Sequence, residues 1–96
     1  MTSVRFHPLA DEELSSATDW YLARSVSAAI GFAREVDHAI QRISEAPHRF
    51  PLTRFGRRRF VLMNYPYDLV YRILPTEVEV IAVSHHSRRP GHWRRR

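Results

Sequence analysis

Apolar residues recur at two different periods along this chain, and the period changes at Pro47. Val4 to Phe6 is a short β-prone stretch stopped by Pro8, and Asp11, Glu12 and Glu13 follow where the positive end of a helix dipole favours acids. Leu9, Leu14, Ala17, Tyr21 and, on a neighbouring flank, Trp20 form a helical stripe running to about Arg24, which assigns Trp20 and Tyr21 to the core. Ser25 or Ser27 can cap a second helix, in which Ala29, Phe32, Ala33, Val36, Ile40 and Ile43 recur at helical steps, with Arg34, Glu35, Arg42 and Glu45 outside. Pro47 ends it. So short a connection folds the two helices into an antiparallel hairpin.

Beyond Pro47 the alternation is that of strands. The loop "HRFPLTRFG" leads into Arg57 to Met63, "NYPYD" makes a bend, and Tyr67 to Leu74 alternates Tyr67, Leu69, Tyr71 and Ile73 with Asp68, Val70, Arg72 and Leu74. "PTE" is a tight turn, and Val78 to about His85 is the next strand, completing a three-stranded antiparallel meander to which the amino-terminal stretch can add a fourth strand. The order β-α-α-β-β-β predicts an α+β fold, a two-helix hairpin packed on one face of a small, mainly antiparallel twisted sheet. Residues 1–96 read as a single domain with a basic tail from about residue 87, without internal repeat or linker.

Composition narrows the function classes. A chain of 96 residues has room for one modest core. Cysteine is absent, which excludes disulfides and thiolate metal sites and fits a reducing compartment. No apolar run approaches the ~18 residues of a membrane span, and Pro8 with its following acids stands where a signal peptide would be apolar, so the expected location is cytoplasmic. Every basic residue is arginine, and placement is uneven: residues 1–47 hold four arginines against seven acids, residues 48–96 eleven against three. Such asymmetry points to an anionic partner for the basic half: nucleic acid, an acidic protein segment or a phosphorylated ligand. Solubility through high charge is the plainer explanation.

The motifs "FHPLADEEL", "WYLARS", "IQRISEAPHRFP", "RRFVLMNYPYDLVYRI" and "VEVIAVSHHSRRPGHW", in this order, resemble the RelE/ParE superfamily of bacterial toxins, particularly its ParE-like branch. The resemblance spans nearly the whole chain. It implies the toxin of a type II toxin–antitoxin pair, bound by a small cognate antitoxin in a hetero-oligomeric complex. Members resembling ParE poison DNA gyrase and are not nucleases; members resembling RelE cut messenger RNA on the translating ribosome. The ParE-like pattern fits better, which implies a gyrase inhibitor with no catalytic residue and no cofactor.

Each alternative makes demands on particular residues. Metal-independent RNA cleavage needs a base, an acid and cations for the phosphorane charge. His86 approximates the position where ribonuclease relatives carry a catalytic Arg or His, and Arg72 that of their phosphate-facing arginine; His85 is the third candidate. The structural alternative pairs Arg72 with Glu77 or Glu79 across the hairpin and leaves His85 as a sheet-edge hydrogen-bonder. Arg57, Arg58 and Arg59 stand where those relatives place lysines or a carboxylate, and arginine cannot act as a base. His85 and His86 must point to opposite faces of a strand, and the scattered histidines offer no zinc site. Arg57, Arg58, Arg59, Arg88 and Arg89 are the candidate target- or anion-binding residues. Trp93 joins them as the anchor of an exposed, anion-facing tail, although a buried ring capping the core is the commoner role for tryptophan. A basic nucleic-acid-binding module is the rival class, without a helix-turn-helix, RNP-like or zinc-finger pattern to support it.

Overall fold

A computed structural model describes residues 1–96. The elements are β1 (Ser3–Phe6), α1 (Pro8–Leu22), α2 (Val26–Glu45), β2 (Arg58–Val61), β3 (Tyr67–Ile73) and β4 (Glu77–His85), the order that the sequence pattern predicts. Pro8 occupies the first turn of α1, where its missing N–H costs nothing, and His7 Nδ1 accepts the Leu9 amide at 3.1 Å as the cap. Of the two serines able to cap α2, Ser25 does so, its Oγ accepting the Ala28 amide at 3.1 Å. The hairpin therefore turns within Ala23 to Ser25.

The sheet runs β1-β4-β3-β2, with β1 parallel to β4 and the other pairs antiparallel. The helices lie on one face. Phe32, Val36, Ala39 and Ile43 of α2 and Ala10 and Ala17 of α1 bury against Leu69, Tyr71, Val78, Val80 and Val83. Tyr71 is fully buried there, its hydroxyl donating to the Pro47 carbonyl at 2.6 Å and its ionisation pushed up to about 12 by burial. That bond ties the end of α2 to the middle of the sheet. The predicted stripes need three corrections, the first being Leu9, which is 44% exposed in the first turn of α1. Ala33 is exposed, because the buried arc of α2 is centred on the line through Ala29, Phe32, Val36, Ala39 and Ile43. Trp20 is 52% exposed, because the neighbouring Tyr21 occupies the inward position, meeting Phe32 at 5.2 Å between ring centroids.

β4 holds an irregularity that simple alternation does not show. Val70 lies opposite Ala82 but Tyr71 opposite Val80, so Ile81 is one residue too many, a β-bulge. Val78, Val80 and Val83 consequently reach the helix side, while Ile81 and Ala82 together face the other way. There they form a second small core with Val70, Phe55 and Trp93.

This second core overturns the expectation that Trp93 lies exposed on an undocked tail, although Arg88, Arg89, Arg94 and Arg95 stay exposed. Trp93 is only 4% exposed, and it meets Phe55 edge-on with ring centroids 5.8 Å apart. Residues 91–96 fold back over the outer face of the sheet as turns. Gly91 makes the approach possible: its φ is +76°, and a Cβ there would fall inside the Phe55 ring. Arg96 then reaches α1, donating to Glu13 at 2.6 and 3.0 Å and to the Ile81 carbonyl at 2.9 Å. Glu13 also accepts the Val83 amide at 3.1 Å. Arg96 and Glu13 thus satisfy backbone groups on either side of the bulge, which is a physical reason why a charged pair sits there.

Candidate functional site

The three residues considered for RNA cleavage are not brought together. Arg72 sits opposite Glu79 in the β3–β4 ladder, whereas His85 sits opposite Tyr67. Five steps along β3, from Tyr67 to Arg72, separate those rungs, roughly 16 Å at ~3.3 Å per residue. Arg72 is moreover held by Glu79, with Nε to Oε1 at 2.7 Å, and Glu79 is also bonded by Arg5 Nη1 at 2.8 Å. Glu79 is almost completely buried and is shared by two arginines, of which Arg5 also pairs with Glu77. The cross-hairpin pairing open to Arg72 in the sequence is the one the fold adopts.

The histidines diverge as the strand period requires. His85 turns to the helix side, edge-on to Tyr67 at 4.9 Å, and its Nδ1 accepts from the Ser87 amide at 3.0 Å. His86 turns outward and meets Asp68 Oδ1 at 2.8 Å; the other Asp68 oxygen faces Arg59 Nη1 at 3.5 Å. No group of three or more His, Cys, Asp or Glu side chains is placed to hold a metal ion.

The candidate anion-binding arginines separate into committed and free groups. Arg58 donates to the Phe50 carbonyl at 2.7 Å, and Arg59 shares Asp68. Arg57, Arg88 and Arg89 have no carboxylate partner. Burial removes the Trp93 ring from any partner's reach, so this residue leaves the list of binding candidates and acts instead as the clamp of the tail. Residues that the sequence analysis passed over take part too: Arg54 and Arg94 lie 4.8 and 5.3 Å from the centre of the Phe55 ring. Their clustering depends on the tail docking, and no short-range pattern announces it.

His92 links the tail to β4. Its Nδ1 accepts from Arg88 Nη2 at 3.3 Å; because arginine only donates, Nε2 carries the proton toward Ser84 Oγ at 3.0 Å. Burial, then the Arg88 charge, hold the imidazole below its ordinary 6.5, with Arg96 acting in the same direction and Glu13 opposing them. The unfolded chain therefore binds this proton more readily than the folded one. The docked tail should show its full stability above about pH 6.5 and lose part of it as pH falls through the lowered folded value. In a Trp20→Phe background, where only Trp93 fluoresces, denaturation midpoints should fall between about pH 7.5 and 5, and His92→Gln should flatten that dependence. An unchanged slope in His92→Gln would remove the assignment.

A groove of about 640 Å³ opens on the helix side, lined by Leu9, Glu12, Trp20, Pro66, Tyr67 and His85 among others. Trp20 projects at its rim, with the Arg24 guanidinium 3.7 Å above its ring. Leu22, Val26 and Ile30 are exposed around the hairpin bend. The helix hairpin thus presents apolar side chains to solvent, and the opposite face of the molecule presents arginines.

Comparison with known proteins gives three results. Residues 4–90 match the family described as the ParE toxin of the type II toxin–antitoxin system, parDE. No curated protein sequence matches the chain. Among solved structures, a chain of the chromosomal ParDE toxin–antitoxin system from P. aeruginosa superposes with a TM-score of 0.76 at 16% identity, covering 88% of this chain and 96% of its own. At that identity the likeness concerns the fold.

Proposed function

Because the chain belongs to the ParE toxin family of type II toxin–antitoxin systems, we propose that it inhibits DNA gyrase, and so replication, in the cytoplasm, and that a cognate antitoxin neutralises it. The observation carrying the choice of gyrase over messenger RNA is the commitment of Arg72 to Glu79, far from His85 and His86. A phosphate-facing arginine has to be available to the phosphate, and this one is bound within the sheet. Gyrase inhibition requires no general acid or base. The antitoxin is read as an acidic, partly disordered chain whose amphipathic segment folds onto the apolar hairpin surface and the adjoining groove. No helix is long and apolar enough to cross a membrane.

Induced expression should arrest growth, activate DNA-damage signalling and trap gyrase in cleaved complexes, while messenger RNA in translating ribosomes stays intact. Co-expression of the adjacent antitoxin gene should relieve the arrest. His86→Ala is the informative substitution, since its bond to Asp68 is exposed and its loss should leave both fold and toxicity in place. Arg72→Ala is a poor discriminator because it disturbs the Glu79 pair. Codon-phased cleavage abolished in His86→Ala would establish a ribosome-dependent endoribonuclease instead.

A further inference from the structure

Six arginines converge on the outer, tail-covered face of the sheet. Arg54, Arg59 and Arg88 line a cavity of about 650 Å³ between the loop preceding β2 and the tail. Arg89, Arg94 and Arg95 frame an adjoining hollow, and both depressions share Pro90 and Gly91. All six side chains are exposed. Asp68 is the one carboxylate lining either hollow, and it already meets Arg59 and His86. The contrast with Arg5, Arg72 and Arg96 is chemical: those three are tied to glutamates. Arg54 and Arg94 are steadied by the Phe55 ring. An aromatic face holds a guanidinium without occupying its N–H donors, which stay free for anionic oxygens.

The backbone carrying these charges is itself fixed. Trp93 is buried beneath it, Gly91 seats it on Phe55, and Arg96 locks it to Glu13. A ligand therefore meets a preset array and loses little affinity to ordering it. The hollow around Arg89, Arg94 and Arg95 contains no hydrophobic lining residue. An amphipathic acidic peptide needs a run of apolar anchors; the helix hairpin exposes Leu9, Trp20, Leu22, Val26 and Ile30, whereas the larger outer cavity exposes Leu52 and Val61 and the smaller hollow none. A chain of phosphates needs only the charges and donors.

We propose that the outer face, through Arg54, Arg59, Arg88, Arg89, Arg94 and Arg95, binds the phosphate backbone of duplex DNA without reading its bases. The phosphate chemistry stands on the geometry alone, and the choice of DNA over RNA rests on the gyrase reading. On that reading the toxin grips the DNA segment that gyrase holds, and the hairpin face stays available to a protein partner.

The test is fluorescence anisotropy of the full chain with two ~20-base-pair duplexes of unrelated sequence, free of gyrase. Binding should be micromolar at about 50 mM salt, alike for both duplexes, and weaken steeply with salt. Replacing Arg89, Arg94 and Arg95 together by Gln should lower affinity at least about tenfold and make the salt slope shallower by about 2 to 3. The melting temperature should hold, since none of the three pairs with a carboxylate. Absence of DNA binding by the wild-type chain, or binding unaffected by the triple substitution, would overturn the proposal. Tighter binding of a single-stranded RNA of equal length would overturn the assignment to DNA, and equal binding of a poly-glutamate peptide would overturn the assignment to phosphate. Gyrase trapping is scored separately: its failure with DNA binding intact sinks only the gyrase reading.

Discussion

Trp93→Ala is expected to cost about 3–5 kcal/mol, the usual loss for removing a buried tryptophan, in a domain whose whole stability is expected to be ~5–15 kcal/mol. The ring covers Val70, Ile81 and Ala82, so its loss opens the second core to water. Removing residues 91–96 goes further: it deletes the ring, abolishes the Glu13–Arg96 pair and leaves the Ile81 carbonyl without its donor. The truncated chain should lose cooperative thermal unfolding and bind a hydrophobic dye. Trp93 in the intact chain, read in a Trp20→Phe background, should resist an aqueous quencher. A truncated chain melting within a few degrees of the full one would show that the outer face holds without its cover. Toxicity assays on such truncations would report folding rather than contact with a target.

The second large effect is expected at Glu79. Its side chain is 4% exposed and accepts from both Arg5 and Arg72, so Glu79→Ala removes the only counter-charge to Arg72 and leaves a gap under the sheet. Breaking a buried pair from one side costs about 3–5 kcal/mol. The Arg72 side chain is 32% exposed and regains some water, which brings the expected loss to about 2–3 kcal/mol. Glu79→Gln should recover part of it by keeping the shape and one acceptor oxygen, while its amide NH2 cannot accept from the second arginine. Urea midpoints of the two variants provide the comparison. Equal midpoints would show that packing, not charge, makes this residue matter. Arg72→Ala should be milder, because Glu79 then keeps Arg5.

How much of this was legible in the sequence depends on distance along the chain. The element order was readable because α2 repeats its apolar residues at helical spacing and β3 alternates cleanly. The divergence of His85 and His86 followed from strand geometry, and the Arg72–Glu79 pair was one of two options that the hairpin allowed. The bulge at Ile81 was not readable: Val80 to Val83 is apolar and buried on both faces, and such a run hides a slipped register. Glu13 looked like a helix-dipole acid, and only the fold brings it to Arg96. Trp93 stood among arginines, so local composition spoke for exposure while a distant Phe55 and the inserted Ile81 determined burial.

The extra residue in β4 sets a parity for everything after it. Ile81 reverses which side of the sheet odd and even positions address, so deleting it would not merely shorten the strand. His85 would be delivered to the tail side and His86 to the helices. The Asp68 partnership would pass to the wrong ring, and Ser84 would turn away from His92. Length variation within this strand is therefore a change of address for three side chains, whereas an insertion in the loop between Pro47 and Arg57 leaves every facing intact.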